Sequence, residues 1–218
     1  MQLIIGTKAW STWSLRPWLV LKRTGAPFEE MLIALRWDGA SEAISTVSPS
    51  RKVPVLRDGA AVIWDSLAIS EYLAEKFPQA GLWPADSHAR AVARSVTAEM
   101  HSGFSALRNA CPMDLALRTI LSPDEATTAD ISRIVQMWKA CRQDFGASGP
   151  WLFGDWSIAD AFYAPMATRF RSYGIDLARF GDDGSAAAYL QTLLSDPDLL
   201  AWERDALADQ SEWSKSDT

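Results

Sequence analysis

The chain has 218 residues, 48% of them hydrophobic and 22% charged, with 12 Gly, 11 Pro and 2 Cys. That composition excludes collagen-like, low-complexity and wholly disordered chains, and the length allows one large domain or two small ones at roughly 100–200 residues each. The net charge is −6 and the 21 Lys and Arg are scattered, which argues against nucleic acid as a partner. No apolar run reaches the roughly 18 residues of a membrane span, and the start of the chain does not read as a signal peptide. Two cysteines, Cys111 and Cys141, cannot supply a disulfide framework; a reduced, cytoplasmic protein is expected, with a single bridge between them left open.

Residues 3–6 read as a short apolar strand, followed by the polar stretch Thr7 to Ser14, in which Trp10 and Trp13 stand apart from the other tryptophans. Leu15, Trp18, Leu19 and Leu21 then repeat at helical spacing until Thr24-Gly25, a stop signal ahead of Pro27. Phe28 to Leu35 reads as a second strand, so the opening is β-α-β, a parallel pair joined by a crossover helix. After a loop or short helix near 40–47, the Asp58-Gly59 pair between two apolar runs marks a hairpin. Asp65-Ser66 opens a helix that Pro78 ends. Residues 1–78 therefore predict a mixed four-stranded sheet in the order β-α-β-(α)-β-β-α.

Residues 79–86 hold Gly and Pro without periodicity and suit a linker. From 87 to 218 the pattern is all helical. One helix is predicted over 87–110. A second follows a Ser122-Pro123-Asp124-Glu125 capping box, and a third opens at Ser157-Ile158-Ala159-Asp160. Two shorter helices follow near 186–195 and 197–208, then a frayed tail from Ser211.

Three places carry residues suited to chemistry. Val53-Pro54 precedes a strand, where a cis Pro would turn the Val53 backbone toward an extended ligand; from the dipeptide alone a trans bond is expected, since about 5–6% of X–Pro bonds are cis. Asp65-Ser66 is either a plain N-cap or an anion-binding helix start. Ser11, Thr12 and Ser14 follow the first strand, where a hydroxyl aimed at a ligand thiol would favour its thiolate. Helix capping must account for at least one of the three, with Ser14 or Thr12 the expected one. Ser157 and Asp160 read as structural. His88 and His101 do not suggest a metal site, no CxxC or HExxH is present, and neither a GxSxG elbow nor a Gly-rich phosphate loop occurs.

Taken together, the Val-Pro turn, the acidic-Ser helix start and the Ser-x-x-Asp box inside FGDWSIADAFYAP resemble the cytosolic glutathione transferase family over nearly the whole chain. The resemblance implies a thioredoxin-like α/β N-terminal domain (βαβαββα) joined to an all-α C-terminal domain. Trp10-Ser11-Thr12-Trp13-Ser14-Leu15-Arg16 is similar to the Ser-Ser-Cys-x-x-Arg pattern of the serine-type, zeta-like members, with Thr12 and Trp13 replacing the second Ser and the Cys. On that match Ser11 is the catalytic serine, hydrogen-bonded to the thiolate of the co-substrate glutathione. Val53 and Pro54 would hold its cysteinyl backbone, Asp65 and Ser66 its γ-glutamyl end, and Lys52 its glycyl carboxylate. The electrophile pocket is expected among Trp10, Trp13, His101, Phe104, Arg108 and Arg169. No Tyr precedes Tyr72 and no Cys precedes Cys111, which leaves the tyrosine-type and thiol-type members without a nucleophile partner. The implied protein is a metal-free homodimer conjugating glutathione to a small electrophile. Its rivals are glutathione-dependent isomerisation of a maleyl-type dicarboxylate, and a non-catalytic relative that binds proteins.

Overall fold

A computed structural model describes the backbone of residues 1–213 and the side chains of residues 1–209. The chain order is β1 (Gln2–Gly6), α1 (Thr12–Thr24), β2 (Glu29–Ile33), α2 (Ala40–Val47), β3 (Val55–Asp58), β4 (Ala61–Ile63) and α3 (Ser66–Lys76). Helices α4 (Ser87–Ser102), α5 (Ser105–Ala110), α6 (Glu125–Phe145), α7 (Ile158–Ser172), α8 (Ser185–Leu194) and α9 (Pro197–Trp213) follow. The mixed four-stranded sheet and the helical remainder are thus as the sequence predicts.

The strands lie in the order β2-β1-β3-β4. β1 runs parallel to β2 with Ile4 opposite Met31, and antiparallel to β3 with Leu3 opposite Leu56; β3 and β4 form the hairpin. Gly59, at φ +58°, supplies its turn in a region that costs Gly little. Because side chains alternate along a strand, Leu3 and Ile5 face α1 and α3, while Ile4 and Val55 face Ile44 of α2. α1 also packs against α7, so one apolar core runs from the sheet into the helices. Its helical centre is Trp138, fully buried, with the rings of Tyr189, Tyr163 and Phe170 at 4.9, 5.5 and 5.7 Å. Such contacts contribute about 0.5–1.5 kcal/mol each beyond the area they bury.

α1 begins and ends for local reasons. The Ser11 side chain accepts the Ser14 amide at its N-terminus, and Gly25, at φ +68°, closes its C-terminus behind Lys22 and Arg23, whose charges suit that end of the helix dipole. The cap is therefore Ser11; Thr12 and Ser14, the capping residues expected from sequence, lie one and three residues inside the helix. The continuous helix expected over 87–110 is broken. Gly103 caps α4 at a spot where a Cβ would sit 2.7 Å from the Glu99 carbonyl oxygen, and Phe104 takes φ +58° before α5 starts. α6 is capped by Asp124, which accepts the Thr127 amide at 2.7 Å, so Ser122 and Pro123 precede the helix rather than open it. α7 starts as predicted, with Ser157 and Asp160 forming a capping box. The segment after α3 makes a short 3-10 turn at Pro78–Ala80 and is pinned by buried Leu82, whose carbonyl accepts the Ile158 amide at 2.9 Å. The expected tail from Ser211 instead continues α9 to Trp213; residues 214–218 lie outside the described residues.

Candidate active site

Between the N-terminal ends of α1 and α3 and the C-terminal end of α4 lies a cavity of about 520 Å³. Trp13, Lys52, Val53, Pro54, Asp65, Ser66 and His101 line it, all singled out in the sequence, together with Ser50 and Trp64. Both additions flank recognised motifs, Ser50 two residues before Lys52 and Trp64 immediately before Asp65. Proximity to those motifs was the available signal. A larger cavity of about 640 Å³ opens among α6 and α8 residues including Lys139, Arg142 and Asp183. There Lys139 is paired with Asp183, and Arg142 donates to the carbonyls of Gly149 and Trp151. Its charges are already satisfied.

The Val53–Pro54 bond is cis, against the expectation from the dipeptide alone, and so is Trp64–Asp65. The Asp65 Oδ1 accepts the Leu67 and Ala68 amides at 2.9 and 3.3 Å and so caps α3. Next to it Ser66 is fully buried, and its hydroxyl has no hydrogen-bond partner in the protein. A buried hydroxyl without a partner costs free energy unless a ligand supplies one. The exposed Lys52 supplies a positive charge to the same wall.

His101 reaches across from α4 and donates from Nε2 to Asp65 Oδ2 at 3.0 Å, while its ring stands edge-on to Trp13 at 5.3 Å. Its Nδ1 is buried without a partner. Burial pushes its pKa down; nearby Arg16 and Arg108 push the same way, and Asp65 opposes them. The neutral imidazole thus ties the start of α3 to the helical half.

The three hydroxyls near the end of β1 separate cleanly. Ser14 is fully buried; its Oγ accepts the Gly6 amide at 3.0 Å and the Ser11 hydroxyl at 2.7 Å, which locks β1 to α1. Ser11 is 5% exposed and lies two residues before Trp13, outside the lining of the cavity itself. To reach a ligand sulfur its hydroxyl must turn away from Ser14. Thr12 is nearly as buried and sits in the first turn of the helix.

Four residues expected in the electrophile pocket are not among those that line this cavity. Trp10 sits beneath the Arg36 guanidinium at 3.7 Å. Phe104 is buried in the core at the α4–α5 break. Arg108 donates to the carbonyls of Met100, His101 and Gly103 and so closes that break, with its guanidinium 5.3 Å from the Trp13 ring. Arg169 donates to the Cys111 carbonyl at 2.7 Å and to Pro165 at 3.2 Å. The helix break at Gly103 redirects Phe104 and Arg108 inward, which a smooth helical reading of 87–110 could not anticipate.

Cys111 and Cys141 are both free, and burial raises their thiols to about 11 and about 12, so neither is a nucleophile at neutral pH. Among the described residues no group of three or more His, Cys, Asp or Glu could hold a metal ion, and no helix is long and apolar enough to cross a membrane.

Family models named Glutathione S-transferase, N-terminal domain, and Glutathione S-transferase, C-terminal domain, match residues 10–76 and 124–204. Glutathione S-transferase 1 of Dianthus caryophyllus is 31% identical over 184 residues, covering 83% of this chain and 82% of that protein. The chain belongs to the glutathione S-transferase family. A second relative is the maleylacetoacetate isomerase of Pseudomonas aeruginosa, 31% identical over 173 residues, covering 77% of this chain and 81% of that protein. Among solved structures, a glutathione transferase homologue from Burkholderia BGR1 with bound glutathione superposes with a TM-score of 0.72 at 25% identity, over 95% of this chain and 98% of that one. Within the family the chain is zeta-like. The transferase N-terminal model ends at the last residue of α3, so the cavity falls between its matched region and α4.

Proposed function

We propose that this glutathione S-transferase binds glutathione in the cavity at the start of α3 and delivers its sulfur, as the thiolate, to an electrophilic carbon of a small substrate. The observation that carries this reading is the wall itself. It combines a backbone turn at Val53-Pro54, a helix start with an unpartnered buried hydroxyl at Ser66, and a cation at Lys52. These suit the peptide backbone, the γ-glutamyl carboxylate and the glycyl carboxylate of one tripeptide. A volume of about 520 Å³ falls in the range of small-molecule sites. Asp65 keeps one carboxylate oxygen for α3 and offers the other, now held by His101, to the ligand's ammonium.

A free Cys thiol, with a pKa of roughly 8.5, is mostly protonated at neutral pH, and the thiolate is the nucleophile. Ser11, the N-cap of α1, would donate a hydrogen bond to that thiolate once its hydroxyl turns from Ser14, aided by the positive end of the helix dipole. Trp13 and His101 form the wall against which the electrophile would lie. Calorimetric titration with glutathione in two buffers of different ionisation enthalpy tests the reading: binding should release a proton near neutral pH. Absence of binding would sink it and favour a non-catalytic relative.

Glutathione-dependent isomerisation of a maleyl-type dicarboxylate is the second reading, favoured by the isomerases among the relatives. Trp13, standing where the zeta pattern has Cys, weighs against it. Product analysis separates the two, since conjugation consumes glutathione and isomerisation returns it.

The same reading assigns residues 1–78 to glutathione, 79–86 to a linker and 87–218 to the electrophile. It places the enzyme in the cytoplasm as a homodimer with a detoxifying role. Sedimentation of the purified protein tests the dimer.

A further inference from the structure

The least expected group beside the cavity is Arg16. It is 1% exposed, and its Nε and Nη1 have no hydrogen-bond partner. Its guanidinium is sandwiched by contacts to the Trp13 ring at 4.3 Å and the Phe162 ring at 4.8 Å, and no carboxylate among the described residues forms an ion pair with it. The charges that face it do not neutralise it. Arg108 from α5 and Arg169 from α7 repel it, while Asp65 at the start of α3 attracts it from beyond pairing distance. Tyr163 of α7, held protonated by burial, and His101 of α4 complete its electrostatic surroundings. Burial and the two arginines drive its proton affinity well below the ordinary guanidinium value, and burial with Arg108 lowers Arg169 to about 10.

An unpaired buried cation is costly to a fold, and stacking on two rings recovers part of that cost. A compensating anion on the other side of Trp13 would recover more. We propose that Arg16 is an electrostatic positioning residue that holds the bound glutathione sulfur ionised, acting through its field across the Trp13 ring rather than by contact. The proposal rests on the glutathione reading above. Burial behind Trp13 keeps Arg16 from touching a ligand, which disfavours direct capture of a substrate carboxylate. A field needs no contact, and it acts strongly where the medium between charge and sulfur is side chain rather than water. On ionisation the S–H bond breaks, the proton passes to bulk buffer and the electron pair stays on sulfur.

The test is a pH titration of the bound thiolate's ultraviolet absorbance in the parent, Arg16→Met, Arg16→Gln and Arg16→Lys. Removing the charge should raise the bound thiol pKa by about one unit, a roughly tenfold loss of thiolate at neutral pH. Arg16→Lys should keep the parent's value, and the pH profile of kcat should move with the titration while the glutathione KM holds. A parent that makes thiolate beside an Arg16→Met that makes it equally well would overturn the proposal alone. A parent that leaves bound glutathione protonated overturns both it and the transferase reading. Failure of Arg16→Met and Arg16→Gln to fold would make Arg16 a structural residue and also overturn it.

Discussion

Two fully buried charged groups sit in this molecule under opposite terms. Asp160, at the start of α7, accepts four hydrogen bonds, from the Leu152 and Ser157 amides and the Ser157 and Tyr189 hydroxyls. Burial raises its carboxyl above the ordinary value while those four donors pull the other way, so both oxygens are answered by their surroundings. Arg16 is as deeply buried and finds aromatic faces instead of acceptors. Around Asp160 the polar atoms answer one another, and even the unpartnered Trp138 Nε1 nearby is a neutral donor rather than a charge. Around the cavity they do not: Ser66, His101 Nδ1 and Arg16 are all left open. A closed set of partners marks a structural site, and an open set marks a place prepared for a ligand.

This contrast can be broken by mutation. The largest effect belongs to Asp160→Ala, which strands several buried donors and should cost on the order of 3 kcal/mol or more of stability, read by urea unfolding. Should it prove mild, the structural half of the comparison fails. Ser11→Ala should lower kcat by roughly 10²-fold with little change in the glutathione KM, as expected for loss of a donor to developing charge. Thr12→Ala should leave both near the parent values, and the reverse pattern would move the role to Thr12. Ser66→Ala should weaken glutathione by about tenfold in calorimetry without destabilising the free protein, because its hydroxyl has no partner to lose.

The smallest effect is the pH dependence carried by His101. Its folded pKa lies below the ordinary 6.5, so the unfolded chain binds the proton more readily, and stability should rise with pH until the unfolded value is passed. Thermal unfolding between mildly acidic and neutral pH should show that slope, and His101→Gln should flatten it. An unchanged slope in His101→Gln would assign the dependence to other groups.

Most of the cavity wall was legible in the sequence, since Lys52, Val53, Pro54, Asp65 and Ser66 are near one another in the chain and lie at turns with recognisable chemistry. The helical side was not, because Phe104 and Arg108 depend on how α4 ends, and Arg169 of α7 is taken up by the Cys111 and Pro165 carbonyls. A single Gly103-Phe104 break turns the last turn of the predicted helix into α5 and spends Arg108 on three carbonyls.

By itself, then, the sequence determined what local rules govern: the β-α-β opening, the Asp58-Gly59 hairpin, the stop at Gly25, the cap at Asp65 and the box at Ser157-Asp160. Each depends on residues a few positions apart, where backbone preference and side-chain hydrogen bonding dominate. Only the tertiary structure decided the cis bond at Val53-Pro54, the choice of Ser11 over Ser14 as the cap, the His101–Asp65 bridge and the isolation of Arg16. Those depend on groups brought together from α1, α3, α4 and α7, and on burial, which sets the cost of an unpaired charge and has no local signature in the chain.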